Sequence, residues 1–346
     1  MRWLLATFVH SALGMKMLKW LCVIAIVVCV LPRGAGARSA PYTAFYAFGD
    51  SLADNGNTYI LTQLLGIQPA IPPSVSPHRS YDDRRFSNGP VAFEYLWQML
   101  SGSAPGSDDG LTPFLEGPLV LRGRAIDFAF GGSGTGLLDQ TPGGFSAPGL
   151  RAQVELYRAL LANKKVPPRA LYAIFAGAGD YLRPTPLDPT QSVGNIIASV
   201  RTLYSLGART VIVLNLPDLG SIPMFAGTPQ SAPLSQLSAA HNALLAAQLA
   251  DLQASLPDLR LVPIDLNAVL SLLPPSINAT VPALDALLPA QQGQLPASLC
   301  LFVNPAACQD VPTFDVGLQF LFWDAEHPTT AVHQQLAAYI ASQLPN

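Results

Sequence analysis

Charge is scarce in this chain. Only 12% of its 346 residues are Asp, Glu, Lys or Arg, and half are hydrophobic, which excludes a disordered chain and allows a large core. The formal net charge of -3 and the lack of any Lys/Arg-rich run argue against nucleic acid as a partner. The unbroken apolar run Leu21 to Leu31 falls short of the roughly 20 residues that a membrane span needs. Cysteine is nearly absent, with four in all, and no Cys/His set offers the four ligands of a structural zinc site.

What is present begins with a leader. Lys16 and Lys19 precede the apolar run, and Pro32 and the small residues Ala35-Gly36-Ala37 follow it. This is the pattern of a secretory signal peptide, 1–37, cut after Ala37, with Met15 or Met17 as an alternative start. An uncleaved anchor is the competing reading. The remainder, 38–346, is expected to be a single domain with no stable membrane span, secreted to the periplasm or the medium. Cys22 and Cys29 leave with the leader. Cys300 and Cys308 remain as a pair in an oxidising compartment, so a disulfide is expected there.

Along the mature chain, short apolar runs alternate with helical patterns. Strands are predicted at Phe45–Gly49, Ala125–Ala129, Leu171–Ala176, Thr210–Leu214 and Arg260–Ile264. Helices are predicted over Val91–Leu100, Gly149–Asn163, Val193–Leu206, Leu237–Leu256 and Ala331–Leu344. Ser87-Asn88-Gly89-Pro90 offers a cap and first-turn proline for the first, and Thr329 or Thr330 a cap for the last. This alternation predicts an α/β fold, a three-layer α/β/α sandwich around a mostly parallel five-stranded sheet. Gly66–Arg85 and Pro274–Pro312 read as long loops, and Asn278-Ala279-Thr280 in the second is a glycosylation sequon in a host that glycosylates.

Ligands in such folds bind beyond the carboxyl ends of the strands. Ser51 stands there, in Gly49-Asp50-Ser51-Leu52-Ala53-Asp54-Asn55-Gly56-Asn57 directly after the first strand. A serine needs a base to become a nucleophile. The mature chain offers His78, His241, His327 and His333. His78 sits in a Pro-rich loop, and His241 and His333 lie within predicted helices. His327 has Asp324 three residues earlier, and Pro328 biases it away from helical backbone. Asp324 is placed to hold the imidazole Nδ1 proton and leave Nε2 free. Glu326 is a rival partner for His327, but adjacent residues usually point apart. Two glycine-rich segments, Gly131-Gly132-Ser133-Gly134 and Gly177-Ala178-Gly179-Asp180, follow the second and third strands. Either could bring backbone N–H groups to an oxyanion.

Together these segments resemble the GDSL esterase/lipase family within the SGNH hydrolases, over nearly all of the mature chain. The resemblance rests on Phe48–Asn57, on Arg85-Phe86-Ser87-Asn88-Gly89-Pro90, on Asp127-Phe128-Ala129-Phe130-Gly131-Gly132, and on Phe322-Trp323-Asp324-Ala325-Glu326-His327-Pro328-Thr329. It implies a flavodoxin-like sheet and a Ser51–His327–Asp324 triad acting on carboxylic esters, lipid esters included, with no metal or organic cofactor. It also implies an oxyanion hole from the N–H groups of Ser51 and Gly132, with Gly131 as the near alternative. The chain departs from the family pattern at Asp127, where Asn is usual, and at Gly179, where an Asn side chain normally donates to the oxyanion. Lipid acyltransfer by the same triad, or ligand binding with weakened catalysis, are the alternatives these features leave.

Overall fold

The first strand, β1 (Ala44–Gly49), is buried at every position, and its alternate side chains enter two different cores. In this computed structural model, which describes residues 42–116, 125–141, 143–162, 166–167, 169–184, 186–271, 273, 297–308, 310–311 and 320–345, β1 lies near the middle of a six-stranded sheet. All of these residues belong to Ala40–Asn346, one of two units into which the chain divides. The expected leader and the sequon fall outside the described residues.

In chain order the elements are α1 (Asn57–Leu64), α2 (Ala92–Ser101), β2 (Thr112–Pro113), β3 (Ala125–Asp127), β4 (Leu138–Gln140), β5 (Ser146–Pro148) and α3 (Leu150–Leu161). They continue with β6 (Ala170–Phe175), α4 (Ala178–Tyr181), α5 (Pro189–Ser205), β7 (Thr210–Leu214), α6 (Ser231–Ser255) and β8 (Arg260–Ile264). The last are α7 (Leu266–Ser271), α8 (Ala297–Val303) and α9 (Thr330–Gln343). The sheet order is β2-β3-β1-β6-β7-β8, with every pairing parallel. The five expected strands are all present, and the two-residue β2 adds an edge beyond them. Strands β4 and β5 form a separate antiparallel hairpin.

Tyr46 and Phe48 face α3, α5 and α6, in a core with Tyr157, Tyr172, Val200 and Leu252. Phe45 and Ala47 face α2, α7 and α9, in a core with Phe93, Trp97, Val269 and Ile340. These are the helical layers of an α/β/α sandwich. Each fully buried Phe contributes about 1.5–3 kcal/mol relative to an exposed one. From β1 the chain adds β3 on one side and β6, β7 and β8 on the other. The strand order therefore reverses beside the carboxyl end of β1, where a crevice forms in open α/β sheets.

Three local expectations change. Helix α1 had no counterpart in the periodicity; the Asp54 carboxylate nucleates it by accepting from the N–H groups of Gly56, Asn57 and Thr58. Ser87 and Asn88 do not cap α2, which instead starts after Val91, whose N–H donates to Glu94. The long segment before Pro312 is not all loop, because it contains α8, whose Leu301 is buried against the group that includes Tyr81 and Trp323.

Candidate active site

Ser51 stands two residues beyond the end of β1, at the strand-order reversal. Asp54, Asn55 and Asn57 fix its loop, Asn55 through its backbone N–H and through Nδ2, which donates to the Leu111 carbonyl. Asp54 ties α1 to the following glycine block, since its Oδ2 also accepts from the Gly131 N–H at 3.0 Å. Asn57 Nδ2 donates to the carbonyls of Asp127 and Ala129 at 2.9 and 3.0 Å. Asn55 N–H donates to the Asp127 carboxylate at 2.9 Å. Burial and the charge of nearby Asp54 push the Asp127 carboxyl well above the usual range. Its other oxygen accepts from the Ala129 N–H at 2.9 Å, so both carboxyl oxygens hold backbone donors, a pair that an asparagine amide would not reproduce.

The structure brings Ser51, His327 and Asp324 into one hydrogen-bonded line. His327 Nε2 lies 2.8 Å from Ser51 Oγ, and His327 Nδ1 lies 2.7 Å from Asp324 Oδ2. Asp324, not Glu326, meets the imidazole. Asp324 Oδ1 accepts from the N–H groups of Glu326 and His327 at 2.8 and 2.6 Å, so the carboxylate is fixed by its own turn. Trp323 N–H donates to the His327 carbonyl at 2.7 Å, closing that turn.

Residues far away in sequence complete the support. The Tyr81 hydroxyl donates to Asp324 Oδ2 at 2.5 Å. The Phe86 ring packs on the His327 ring with centroids 5.1 Å apart. Ser87 Oγ donates to the Pro328 carbonyl, and Asn88 Oδ1 accepts the Thr330 N–H, each at 2.9 Å. Asn88 thus satisfies an N–H in the first turn of α9 from a distant segment. The cysteines Cys300 and Cys308 are joined, with Cα atoms 5.1 Å apart, and pack in one buried group with Tyr81 and Trp323.

Electrostatics couple the pair. Burial pushes the Asp324 carboxyl upward, but the His327 charge and the bonds from His327, Tyr81 and the Glu326 N–H hold it below the usual carboxylate value. Burial pushes His327 downward, and the Asp324 charge and hydrogen bond outweigh it, with Glu326 and Asp50 adding to the effect. The imidazole is held above its ordinary 6.5. Burial also raises Asp50, to about 7, and Glu326.

Of the two glycines considered as donors, the structure separates them. The Gly131 N–H is engaged by Asp54 and by Thr58 Oγ1. Among the described residues the N–H groups of Gly132 and Ser51 have no acceptor, and Gly132 has φ of 75°, which glycine adopts without strain. Gly179 is not a vacancy awaiting a side chain: a Cβ there would overlap the Ser133 carbonyl oxygen. An Asn at 179 would have to displace the Ser133 carbonyl before its side chain could reach an oxyanion.

These groups open on a cavity of about 630 Å³ at the carboxyl ends of the strands. Ser51, His327, Gly132, Gly179 and Arg183 line it, together with Leu219, Ile222, Leu266, Leu270 and Leu336. His333 also lines it. Both its ring nitrogens lack partners among the described residues, and burial pushes it down to about 3, so it is neutral. His241 is buried against the Tyr181 hydroxyl at 2.8 Å, and His78 Nδ1 lies 3.1 Å from the Cys308 carbonyl. Sequence reasoning assigned no role to Tyr81, Phe86 or Arg183. Phe86 lay inside a resembling block, while nothing in the sequence tied Tyr81 to Asp324. Among the described residues no His, Cys, Asp and Glu cluster could hold a metal ion, and no helix is long and apolar enough to cross a membrane.

Comparison with known proteins adds independent findings. The family described as GDSL-like lipase/acylhydrolase matches residues 45–340. An uncharacterized protein of the trpE-trpG intergenic region of Pseudomonas putida is 30% identical over 61% of this chain and 34% of its own length. GDSL esterase/lipase 5 of Arabidopsis thaliana is 30% identical over 52% of this chain and 50% of its own length. Phosphatidylcholine-sterol acyltransferase of Aeromonas hydrophila is 28% identical over 66% of this chain and 60% of its own length. The chain thus spans about a third to three fifths of the length of these relatives.

Proposed function

The chain belongs to the GDSL-like lipase/acylhydrolase family, and on that premise we propose that it hydrolyses apolar carboxylic esters with Ser51 as nucleophile. The observation that carries this reading is the line from Ser51 Oγ through His327 to Asp324, at 2.8 and 2.7 Å, on the wall of one cavity. His327 Nε2 takes the Ser51 proton as Oγ attacks the ester carbonyl. The unpartnered N–H groups of Ser51 and Gly132 receive the oxyanion. His327 returns the proton to the leaving alcohol. A water activated by the same nitrogen then releases the acid. Asp324 fixes the imidazole tautomer and supports the imidazolium formed in each step. A mainly apolar lining and a volume within the range of drug-sized ligand sites suit an acyl chain, lipid acyl chains included.

The likeness to the Aeromonas acyltransferase favours one second reading, in which an alcohol rather than water resolves the same acyl-enzyme. The proposal extends to export. The basic and apolar pattern of residues 1–37 suits a leader, and a Cys300–Cys308 bridge suits an oxidising compartment. N-terminal sequencing of the protein from culture medium or periplasm is expected to read from Arg38.

The test is turnover of short and long p-nitrophenyl esters by the wild-type protein and by Ser51→Ala, with and without an added acceptor alcohol. Hydrolysis lost in Ser51→Ala supports the reading. Acyl transfer that outruns hydrolysis selects the second one, and full turnover in Ser51→Ala refutes both.

A further inference from the structure

The Gly132 N–H is useful only if its loop is held still: Asp54 and Thr58 hold Gly131, Ser133 Oγ donates to the Gly49 carbonyl, and the far side of the loop, at Gly134 and Thr135, is held by an ionic clasp outside the triad. The Gly134 N–H donates to Asp139 Oδ2 at 2.9 Å, and Asp139 Oδ1 accepts from Arg183 Nη2 at 3.0 Å. Thr135 donates its N–H and its hydroxyl to the two oxygens of Asp180, at 3.0 and 2.7 Å. Arg183 Nη2 also reaches Asp180 Oδ1 at 3.3 Å, and Arg183 Nε donates to the Gly179 carbonyl at 3.1 Å. One guanidinium therefore ties the β4 end of the hairpin, through Asp139, to the segment after β6.

The packing around the clasp is close. A Cβ on Gly134 would overlap Asp180 and Arg183, and a Cβ on Gly179 would overlap the Ser133 carbonyl. Asp139 and Asp180 are buried, while Arg183 is partly open to the cavity that also holds Ser51 and Gly132. Without Arg183, two buried carboxylates would lose their shared cation and repel. The segment from Gly132 to Thr135 would then relax away from Gly179.

We propose that Arg183 is a positioning residue for the oxyanion site, aiming the Gly132 N–H by clamping Asp139, Asp180 and Gly179 together. This inference rests on the serine-esterase reading. A displaced donor stabilises the transition state less while leaving ground-state binding in the apolar cavity little changed. Misplacement by about 1 Å can cost a hundredfold in rate.

The test uses the full chain and its Arg183→Met, Arg183→Lys and Asp139→Asn variants. One readout is kcat and KM on p-nitrophenyl esters. The other is the labelling rate with a fluorophosphonate ester, in which Ser51 Oγ bonds to phosphorus, the P–F bond breaks, fluoride leaves and His327 takes the proton. In Arg183→Met, kcat and labelling are expected to fall about ten- to a hundredfold, with KM changed less than about threefold. Arg183→Lys keeps the cation but not the planar fork and should recover part of the rate. Should Arg183→Met fail to fold, Asp139→Asn weakens the same clasp and should show a smaller loss of the same kind. Wild-type kcat and labelling in Arg183→Met, or a loss confined to KM, would overturn the inference. A Ser51→Ala control that still turns over would instead overturn the esterase reading beneath it.

Discussion

Replacing Tyr81 with Phe removes one oxygen and leaves a ring of the same shape, so it isolates the bond to Asp324. That bond is a charge-assisted hydrogen bond of 2.5 Å inside a buried site. Bonds of this class contribute about 1.5–3 kcal/mol. When His327 is protonated, the Asp324 charge is shared with the imidazolium and the Tyr81 bond weakens. If about half of its energy is lost in that step, the bond disfavours protonation of His327 by roughly 0.8–1.5 kcal/mol, or about half to one pH unit. Tyr81→Phe therefore makes Asp324 the stronger partner of the imidazolium and raises the His327 pKa further. The proposed mechanism needs neutral His327, so on that reading activity is lost as pH falls through that pKa. The wild-type acid limb is expected above 6.5, since His327 is raised from that value, and in Tyr81→Phe it should move up by about half to one unit. The assay is kcat/KM against pH between about 5 and 10, followed by titration of released acid so that product ionisation does not interfere. An acid limb that stays in place or moves down in Tyr81→Phe would refute this account of the coupling.

Further outcomes follow from the same contacts. Asp324→Asn should keep the fold and lower kcat about ten-thousandfold, because the amide favours the wrong imidazole tautomer; steady-state kinetics on any accepted ester reads it. Replacing both Cys300 and Cys308 by Ser opens a loop with a separation of eight residues and should cost about 2–3 kcal/mol in denaturant unfolding. A variant as stable as wild type would show that the bridge adds nothing to folding. His333→Leu should raise stability at neutral pH by about 1–2 kcal/mol, because the two buried ring nitrogens have no partner among the described residues to lose. The folded pKa of His333 is depressed to about 3, so between 6.5 and about 3 only the unfolded chain takes up its proton, and stability falls as pH falls across that window. The advantage of His333→Leu should then widen by about 1.4 kcal/mol per unit below pH 6.5, and a constant gap would contradict the neutral buried imidazole.

Much of this protein was legible in the order of its residues. The central strands β1 and β6 are unbroken apolar runs because the sheet is buried on both faces there, and such runs read the same in sequence as in space. The proposed triad was legible for a local reason: Asp324 and His327 share one turn, and Ser51 stands two residues past the first strand, where an open sheet gathers its ligands. The capping power of Asp54 was written in its chemistry, but its target was not, because one carboxylate serves both α1 and a glycine 77 residues away.

Other features needed the folded chain. Tyr81 meets Asp324 across a separation of 243 residues, and Asn88 caps a helix 242 residues on. No short-range pattern encodes such pairs, since they exist only once the sheet has brought the loops at its carboxyl edge together. Gly179 makes the difference clearest. In the sequence it is an asparagine position without its side chain. In the structure the Ser133 carbonyl fills that space and Arg183 clamps the segment in place. Sequence alone determined the fold class and which residue types could perform the chemistry, because both follow from local pattern. Which N–H groups stay free for an oxyanion, and which side chains hold them there, was decided by tertiary packing, because a backbone donor has no identity of its own in the sequence.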